Sequence, residues 1–152
     1  MRDKEIQLFT DAISQASQEF YLDAVSLLNE LINEFQDSEL VDDAYYNIGL
    51  CYFNMNQFEK AIKMFEKVIQ EYPEGTISIL NGGNEYGHTA AKCWLAIMNC
   101  FLGLGSIEKA KDTIKNLSQF DDSYLMVENG EKITFEQLAI MSLDKFLNQK
   151  NK

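Results

Sequence analysis

Proline occurs once in this chain, at position 73, and histidine once, at position 88. With one proline and eight glycines in 152 residues, turn-formers are too few for a disordered segment or a many-turned all-β domain. A lone histidine leaves only His88 for any Ser-His-Asp or Cys-His pair. It stands beside Gly87 in a loop-like stretch, where a surface histidine is the expectation. No P-loop, dinucleotide fingerprint or H-E-x-x-H occurs, so Gly82-Gly83 and the pair Gly103/Gly105 read as turn glycines. Nothing in the chain composes a catalytic constellation, and a non-enzymatic protein without cofactor is expected.

The three cysteines, Cys51, Cys93 and Cys100, are odd in number and lack C-x-x-C spacing. Each falls in an apolar periodic segment, where a free thiol behaves as a small hydrophobe. The acidic group Asp37, Glu39, Asp42 and Asp43 lacks the D-x-D-x-D-G calcium pattern and reads as helix-terminus charge. No metal site is expected. No apolar run approaches the roughly 18 residues of a membrane span. The opening MRDKEIQLFTDAIS has no apolar signal core. A reduced, cytoplasmic protein is the expectation.

Basic residues are scarce too: 13 Lys/Arg against 24 Asp/Glu, a net charge of −11. The deficit sits in one half. Residues 1–75 carry 15 acids and 5 bases (−10), residues 76–152 carry 9 and 8 (−1). Such a surface repels phosphate backbones and anionic headgroups, so neither nucleic acid nor membrane is an expected partner.

What is present is helix-forming sequence with an internal repeat. Residues 44–73, AYYNIGLCYFNMNQFEKAIKMFEKVIQEYP, align without a gap at an offset of 49 on the stretch beginning AKCWLAIMNC at Ala91. Tyr45 falls on Trp94, Ile48 on Ile97, Tyr52 on Phe101, Ala61 on Ala110 and Phe65 on Ile114. Upstream, Tyr21, Ala24, Leu28, Leu31 and Phe35 match Phe58, Ala61, Phe65, Val68 and Tyr72 at an offset of 37. The helix before them, with Phe9, Ala12, Ile13 and Ala16, fits at 36, which predicts one extra residue in its turn. Each copy holds two apolar stripes at helical spacing around a short turn. Asn56, with Glu59 three residues on, reads as a capping box, and Ser38 opens the unit. Gly49 and Ala61 are expected on facing sides of two antiparallel helices, where small residues let the backbones approach, and Pro73 ends the second helix.

The pattern resembles the tetratricopeptide repeat (TPR). Counting from Asp42, Tyr45 takes the fourth position, Ile48 and Gly49 the seventh and eighth, Tyr52 the eleventh, Ala61 the twentieth, Phe65 the twenty-fourth and Pro73 the thirty-second. The wide spacing and the segments EFQDSELVDDAYYNIG and EYPEG resemble the bacterial subtype of outer-membrane assembly and Tol–Pal-associated proteins. The resemblance implies an all-α, right-handed TPR solenoid of three helix pairs: repeat one over 5–37, repeat two over 38–73 and repeat three over 91–122. An inserted loop at 74–90 separates the last two. This loop is either a functional element or a decoration on the solenoid edge. Within it, Thr76–Leu80 alternates like a strand and Asn81-Gly82-Gly83-Asn84 signals a turn. Residues 123–133 carry an Asn-Gly hairpin signal, and a capping helix over 134–149, opened by Thr134 and Gln137, is expected to seal the stack.

The resemblance also implies a concave groove lined by the first helix of each repeat, which places Asp43, Tyr46, Asn47, Leu50 and Phe53 of repeat two on a protein or peptide ligand, with Lys92, Leu95 and Asn99 of repeat three. Ala96 and Leu102 complete the repeat-three positions, and Gln7, Thr10, Asp11 and Ser14 are the repeat-one counterparts. Asn47 and Lys92 match two places of the carboxylate clamp that grips chaperone C-termini. Its other cations are missing here, which excludes that specificity. The expected function is a protein–protein interaction adaptor; the second reading is a cytosolic TPR chaperone for a secreted client. Solenoid ends pair readily, so a homo-oligomer is a further assembly to test.

Overall fold

The computed structural model describes residues 2–150. Seven α-helices account for most of it: α1 (Arg2–Ser17), α2 (Tyr21–Glu34), α3 (Val41–Asn54), α4 (Phe58–Glu71), α5 (Thr89–Gly103), α6 (Ile107–Ile114) and α7 (Phe135–Lys150). The first six pack as three helix pairs, each stacked on the next, with α7 against α5 and α6. Among the odd-numbered helices α3 touches α5 and α5 touches α7, with α1 lightly on α3, whereas direct contact among α2, α4 and α6 is slight. The odd helices therefore lie on the tighter, inner side of the curve.

The same turn closes every pair. Glu19, Asn56 and Gly105 each adopt the left-handed conformation, at φ 67°, 60° and 76°. The next amide reaches back across the turn each time: Phe20 to the carbonyl of Gln15 (2.9 Å), Gln57 to Tyr52 (2.8 Å) and Ser106 to Phe101 (2.8 Å). This six-residue closure satisfies carbonyls that the helix end leaves unpaired. The three turns are 37 and 49 residues apart with identical bonding, so the extra residue expected in the first turn is not there. The slip in α1 is a rotation of its apolar stripe, because a terminal helix packs on α2 and only lightly on α3. Asn56 is likewise not a cap. Gln57 occupies the N-cap of α4 without a side-chain bond, and Asn56 serves as the left-handed turn residue, which asparagine tolerates. Glu19 pays a steric penalty at the equivalent, exposed place. Glu19→Gly is expected to raise stability by about 1 kcal/mol, measured by urea unfolding; a loss of stability would contradict the shared turn.

Inside the pairs, bulk and smallness are exchanged between facing helices. A Cβ built on Gly49 would lie 2.4 Å from the buried Phe65 ring. The equivalent positions hold Ala12 with Leu28 in the first pair and Met98 with Ile114 in the third. Ala61 is fully buried, as is its counterpart Ala110. The chain leaves α4 at Tyr72, whose amide donates to the Val68 carbonyl (2.8 Å), and Pro73 follows. Cys51, Cys93 and Cys100 are free and buried in this core. Burial pushes the Cys51 thiol up to about 11 and Cys100 to about 12.

Three short strands form one antiparallel sheet in the order β1 (Glu85–Tyr86), β2 (Tyr124–Met126) and β3 (Lys132–Thr134). The β2–β3 hairpin pairs Tyr124 with Thr134 and Met126 with Lys132. The third strand is not the expected Thr76–Leu80. The Ser78 hydroxyl accepts the Leu80 amide at 3.1 Å, curling the chain into a single 3-10 turn at Ile79–Asn81. Thr76 keeps one isolated bridge, to His88. Thr134 opens α7 through a reciprocal capping box. Its amide donates to Gln137 Oε1 at 2.9 Å, and the Gln137 amide donates to Thr134 Oγ1 at 3.1 Å. Phe135 and Ala139 then bury against the third pair, with Leu138, Leu143 and Phe146 beside them.

Candidate functional site

The inner face of α3 and α5 divides into two halves. At the N-terminal half the insertion lies over the helices as a roof. Asp43, on the first turn of α3, is 1 % exposed, and its Oδ1 accepts the Ser78 amide at 3.1 Å. Its carbonyl accepts the Asn47 side-chain amide at 2.8 Å. Lys92, 3 % exposed, donates to Glu85 of β1 at 2.8 Å and lies over the Tyr46 ring, 4.3 Å from its centroid. A desolvated cation on an aromatic face contributes about 2 kcal/mol. Tyr46 is buried and packs on Phe65 at a ring separation of 5.6 Å. Burial holds its phenol well above the ordinary range.

The roof is anchored elsewhere as well. Thr89, fully buried at the start of α5, donates to Asp42 Oδ2 at 2.7 Å, and its amide donates to the Gly75 carbonyl at 3.0 Å. A Cβ on Gly75 would collide with the Asp42 carboxylate at 2.4 Å. On the far side the His88 amide donates to Ser123 Oγ at 2.9 Å, joining the insertion to the hairpin. His88 is not the expected surface residue. Its ring is half-buried, with Nε2 3.2 Å from Asp122 and its centroid 5.9 Å from that of Phe120. Burial pushes the Asp42 carboxyl above its usual range, the Thr89 hydrogen bond opposing it. Burial and the neighbouring Asp42 push Asp43 up to about 7.

The C-terminal half of the face is different. Leu50 and Phe53 of α3, with Leu95 and Asn99 of α5, are half-buried. Phe53 meets Phe58 edge-on at 5.4 Å, which fixes its ring. On α1, Gln7, Asp11 and Ser14 are exposed and Thr10 is half-buried; Gln7 donates to Asp11 at 2.7 Å. Of the eight positions expected on a ligand, the fold draws Asp43, Tyr46, Asn47 and Lys92 into one internally bonded group under the insertion. It leaves Leu50, Phe53, Leu95 and Asn99 partly accessible. Asn47 and Lys92, the two clamp-like residues, are both committed to internal partners.

The roof contacts through Ser78, Glu85 and Thr89 were not legible from repeat positions. The available signal was polar: two consecutive acids on one inner helix and a lysine on the next, separated by an insertion that carries a glutamate and leads into a helix begun by a threonine.

A family profile described as the tetratricopeptide repeat matches residues 42–74. No curated protein matches the chain. Solved structures do. PcrH from Pseudomonas aeruginosa superposes with a TM-score of 0.67 at 14% identity, covering 97% of this chain and 94% of that one. The type III secretion chaperone SycD of Yersinia enterocolitica, in complex with a peptide of the translocator YopD, superposes at 0.59 and 15% identity, covering 95% and 92%. Yeast Tom70 superposes at 0.62 and 19% identity over 99% of this chain, which spans 25% of the Tom70 length. At these identities the likeness is one of fold. No helix among the described residues is long and apolar enough to cross a membrane. Residues 42–74 are thus a tetratricopeptide repeat, and the chain as a whole folds as a TPR-like solenoid of helix pairs.

Proposed function

We propose that the protein is a non-enzymatic, cytoplasmic adaptor that holds an extended protein segment on the open half of its inner face, against Leu50, Phe53, Leu95 and Asn99. The observation that carries this reading is the division of that face. One half is closed by internal bonds, while the other presents a half-buried aromatic and aliphatic strip with an amide beside it. Such a strip suits an extended chain, because apolar side chains supply contact area and the asparagine amide pairs with peptide backbone. The SycD structure, a fold relative over nearly its whole length, holds a peptide.

A secretion-chaperone reading is favoured by one observation: PcrH and SycD are each matched over more than nine-tenths of both chains. On that reading the segment belongs to a secreted client. The repeat spacing of 37 and 49 residues, wider than the usual unit of about 34, supports placement in the bacterial wide-spaced subtype.

A peptide array probed with wild type and with a Leu50→Glu/Asn99→Ala variant tests the site. The variant is expected to bind the captured peptides at least about tenfold more weakly, about 1.4 kcal/mol, with an unchanged unfolding midpoint. Equal capture by both proteins rules out the open half as the site.

A further inference from the structure

The insertion is tied at both ends and lightly held in the middle. On one side the Ile77 amide donates to the Gly87 carbonyl at 2.9 Å; on the other the Met126 amide donates to the Asn84 carbonyl at 2.8 Å. Between these ties residues 78–83 form a flap over the start of α3. Gly82 and Gly83 stand at φ 112° and 81°, so the far limb of the flap turns at little steric cost. Leu80 packs against the first core, while Ile79 is 77 % exposed. A cleft of about 340 Å³ runs between the flap, Ile6 of α1 and Leu40, so the flap does not lie flush on the stack. Among the described residues its one hydrogen bond to a helix is the Ser78 amide on Asp43 Oδ1, at 3.1 Å.

The closed flap leaves Asp43 in poor surroundings for a charge. The residue is 1 % exposed, and Oδ2 is sealed without a hydrogen-bond partner among the described residues. A carboxylate accepts up to about four bonds. The charged neighbours do not make up the deficit. Asp42, on the same turn, repels it, and Glu39 stands at the same cleft paired with Arg2. Lys92 of α5 attracts it but is bonded to Glu85 of β1. Burial holds the Tyr46 phenol and the Cys93 thiol neutral. The protonated acid therefore suits the closed flap, and the carboxylate suits water.

We propose that residues 78–83 are a pH-gated lid, shut over Asp43 while that residue is protonated and raised when it ionises, and that raising it lengthens the open half of the inner face. Asp43, Asn47 and Leu50 follow one another at i, i+4 and i+7 on α3, so an uncovered Asp43 continues the line of Leu50 and Phe53. The lid stands on the contacts above; its control of binding rests on the adaptor reading. With the lid shut, burial and then Asp42 push the Asp43 carboxyl up to about 7 from an ordinary 3.8. The shut state is thus fully favoured below about pH 4 and loses its advantage as the pH climbs to about 7. Asp42 is raised too, but it holds Thr89, on the anchored side of the insertion.

The test is amide hydrogen exchange on the full chain, read by NMR as protection factors, which remove the intrinsic pH dependence of exchange. Ser78 protection is expected to fall at least about tenfold between about pH 5 and pH 7. At each pH it should be at least about tenfold below that of Ile77 and Met126, because the flap opens without its ties. In Asp43→Asn the fall with pH is expected to vanish. Leu80→Ala, which leaves both polar partners in place, is expected to lower Ser78 protection at both pH values and to keep the fall. Urea up to about 1 M should leave Ser78 exchange unchanged while accelerating that of Ala61 in the core, which opens only with the whole chain.

Ser78 protection that ignores pH, that falls equally in Asp43→Asn, or that matches Ile77 and Met126 and follows urea as Ala61 does, overturns the lid. A peptide captured by the open half is expected to bind about tenfold more tightly at pH 7 than at pH 5 in the wild type, and equally at both in Asp43→Asn. Exchange is measured without peptide, so the lid and the adaptor reading fail separately. A peptide that is lost in Leu50→Glu/Asn99→Ala yet binds the wild type equally at both pH values overturns the regulatory role.

Discussion

Replacing Gly49 with alanine is expected to destabilise the protein by about 2 kcal/mol, and replacing Phe65 with leucine in the same chain is expected to restore much of that loss. The added methyl would stand 2.4 Å from Cε1 of the Phe65 ring and 2.7 Å from its Cζ. Phe65 is fully buried between α3 and α4 and touches Tyr46, so the ring has nowhere to retreat. Overpacking of this kind costs about 1–3 kcal/mol, and the gain of up to about 1 kcal/mol from alanine's better helix propensity does not offset it. The rescue follows from the chain itself. The first repeat already carries the alanine and leucine combination at the equivalent positions, Ala12 and Leu28, both 1 % exposed. A double-mutant cycle by urea unfolding should show a coupling of about 1 kcal/mol or more in the compensating direction. Additive losses would mean that Gly49 is small for some reason other than the ring.

Asp43→Asn is expected to change the shape of the stability curve with pH. The folded-state carboxyl of Asp43 is raised to about 7 by burial and by Asp42, from an ordinary 3.8. A raised acid binds its proton more tightly folded than unfolded. Its contribution is therefore full below about pH 4 and is lost progressively as the pH climbs to about 7. Asparagine does not titrate. It keeps an oxygen for the Ser78 amide and carries no charge into the interior. Asp42, also raised, remains in both proteins and is relieved of the Asp43 charge in the variant, which adds to the same trend. The stability of the variant relative to wild type should therefore rise by about 2–4 kcal/mol between about pH 4 and pH 8. Parallel curves would show that Asp43 is solvated and that the insertion does not close over it. Because Ser78 reports directly on the contact, its amide exchange should slow in the variant at pH 8, where the wild-type carboxylate is most strained by burial.

Much of the architecture was legible because repetition makes weak signals agree. Tyr45 and Trp94, Ile48 and Ile97, and Ala61 and Ala110 are informative as aligned pairs where each alone is ambiguous. Residue size placed Gly49 and Ala61 at the close approach of two helices; that the Phe65 ring fills the space over Gly49 came from the structure. The capping box of Thr134 and Gln137 is local chemistry and forms as the spacing implies. The errors have local causes too. Asn56 suits both a cap and a left-handed turn, and the choice depends on the six-residue closure, which is set by backbone geometry. Thr76–Leu80 alternates like a strand, yet a single hydroxyl, Ser78, bends it.

The inner face was harder to read. Repeat position places Asp43, Tyr46, Asn47 and Lys92 on the concave side, but accessibility depends on what lies above them. That is decided by residues 35 to 47 positions away in sequence: Ser78 on Asp43, Thr89 on Asp42, Lys92 on Tyr46. The glutamate of β1 is held in place partly by a hairpin from the other side of the third repeat. Taken alone, the sequence determined the helix pairs, their order and their close approach, because helical periodicity, residue volume and capping act over a few positions. Only the tertiary structure decided that half of the concave surface is roofed, that the insertion is an anchored part of the solenoid, and that the buried Asp43 carboxylate takes the Ser78 amide on one oxygen alone among the described residues. Those outcomes depend on where distant segments meet, and meeting requires the whole stack to be built.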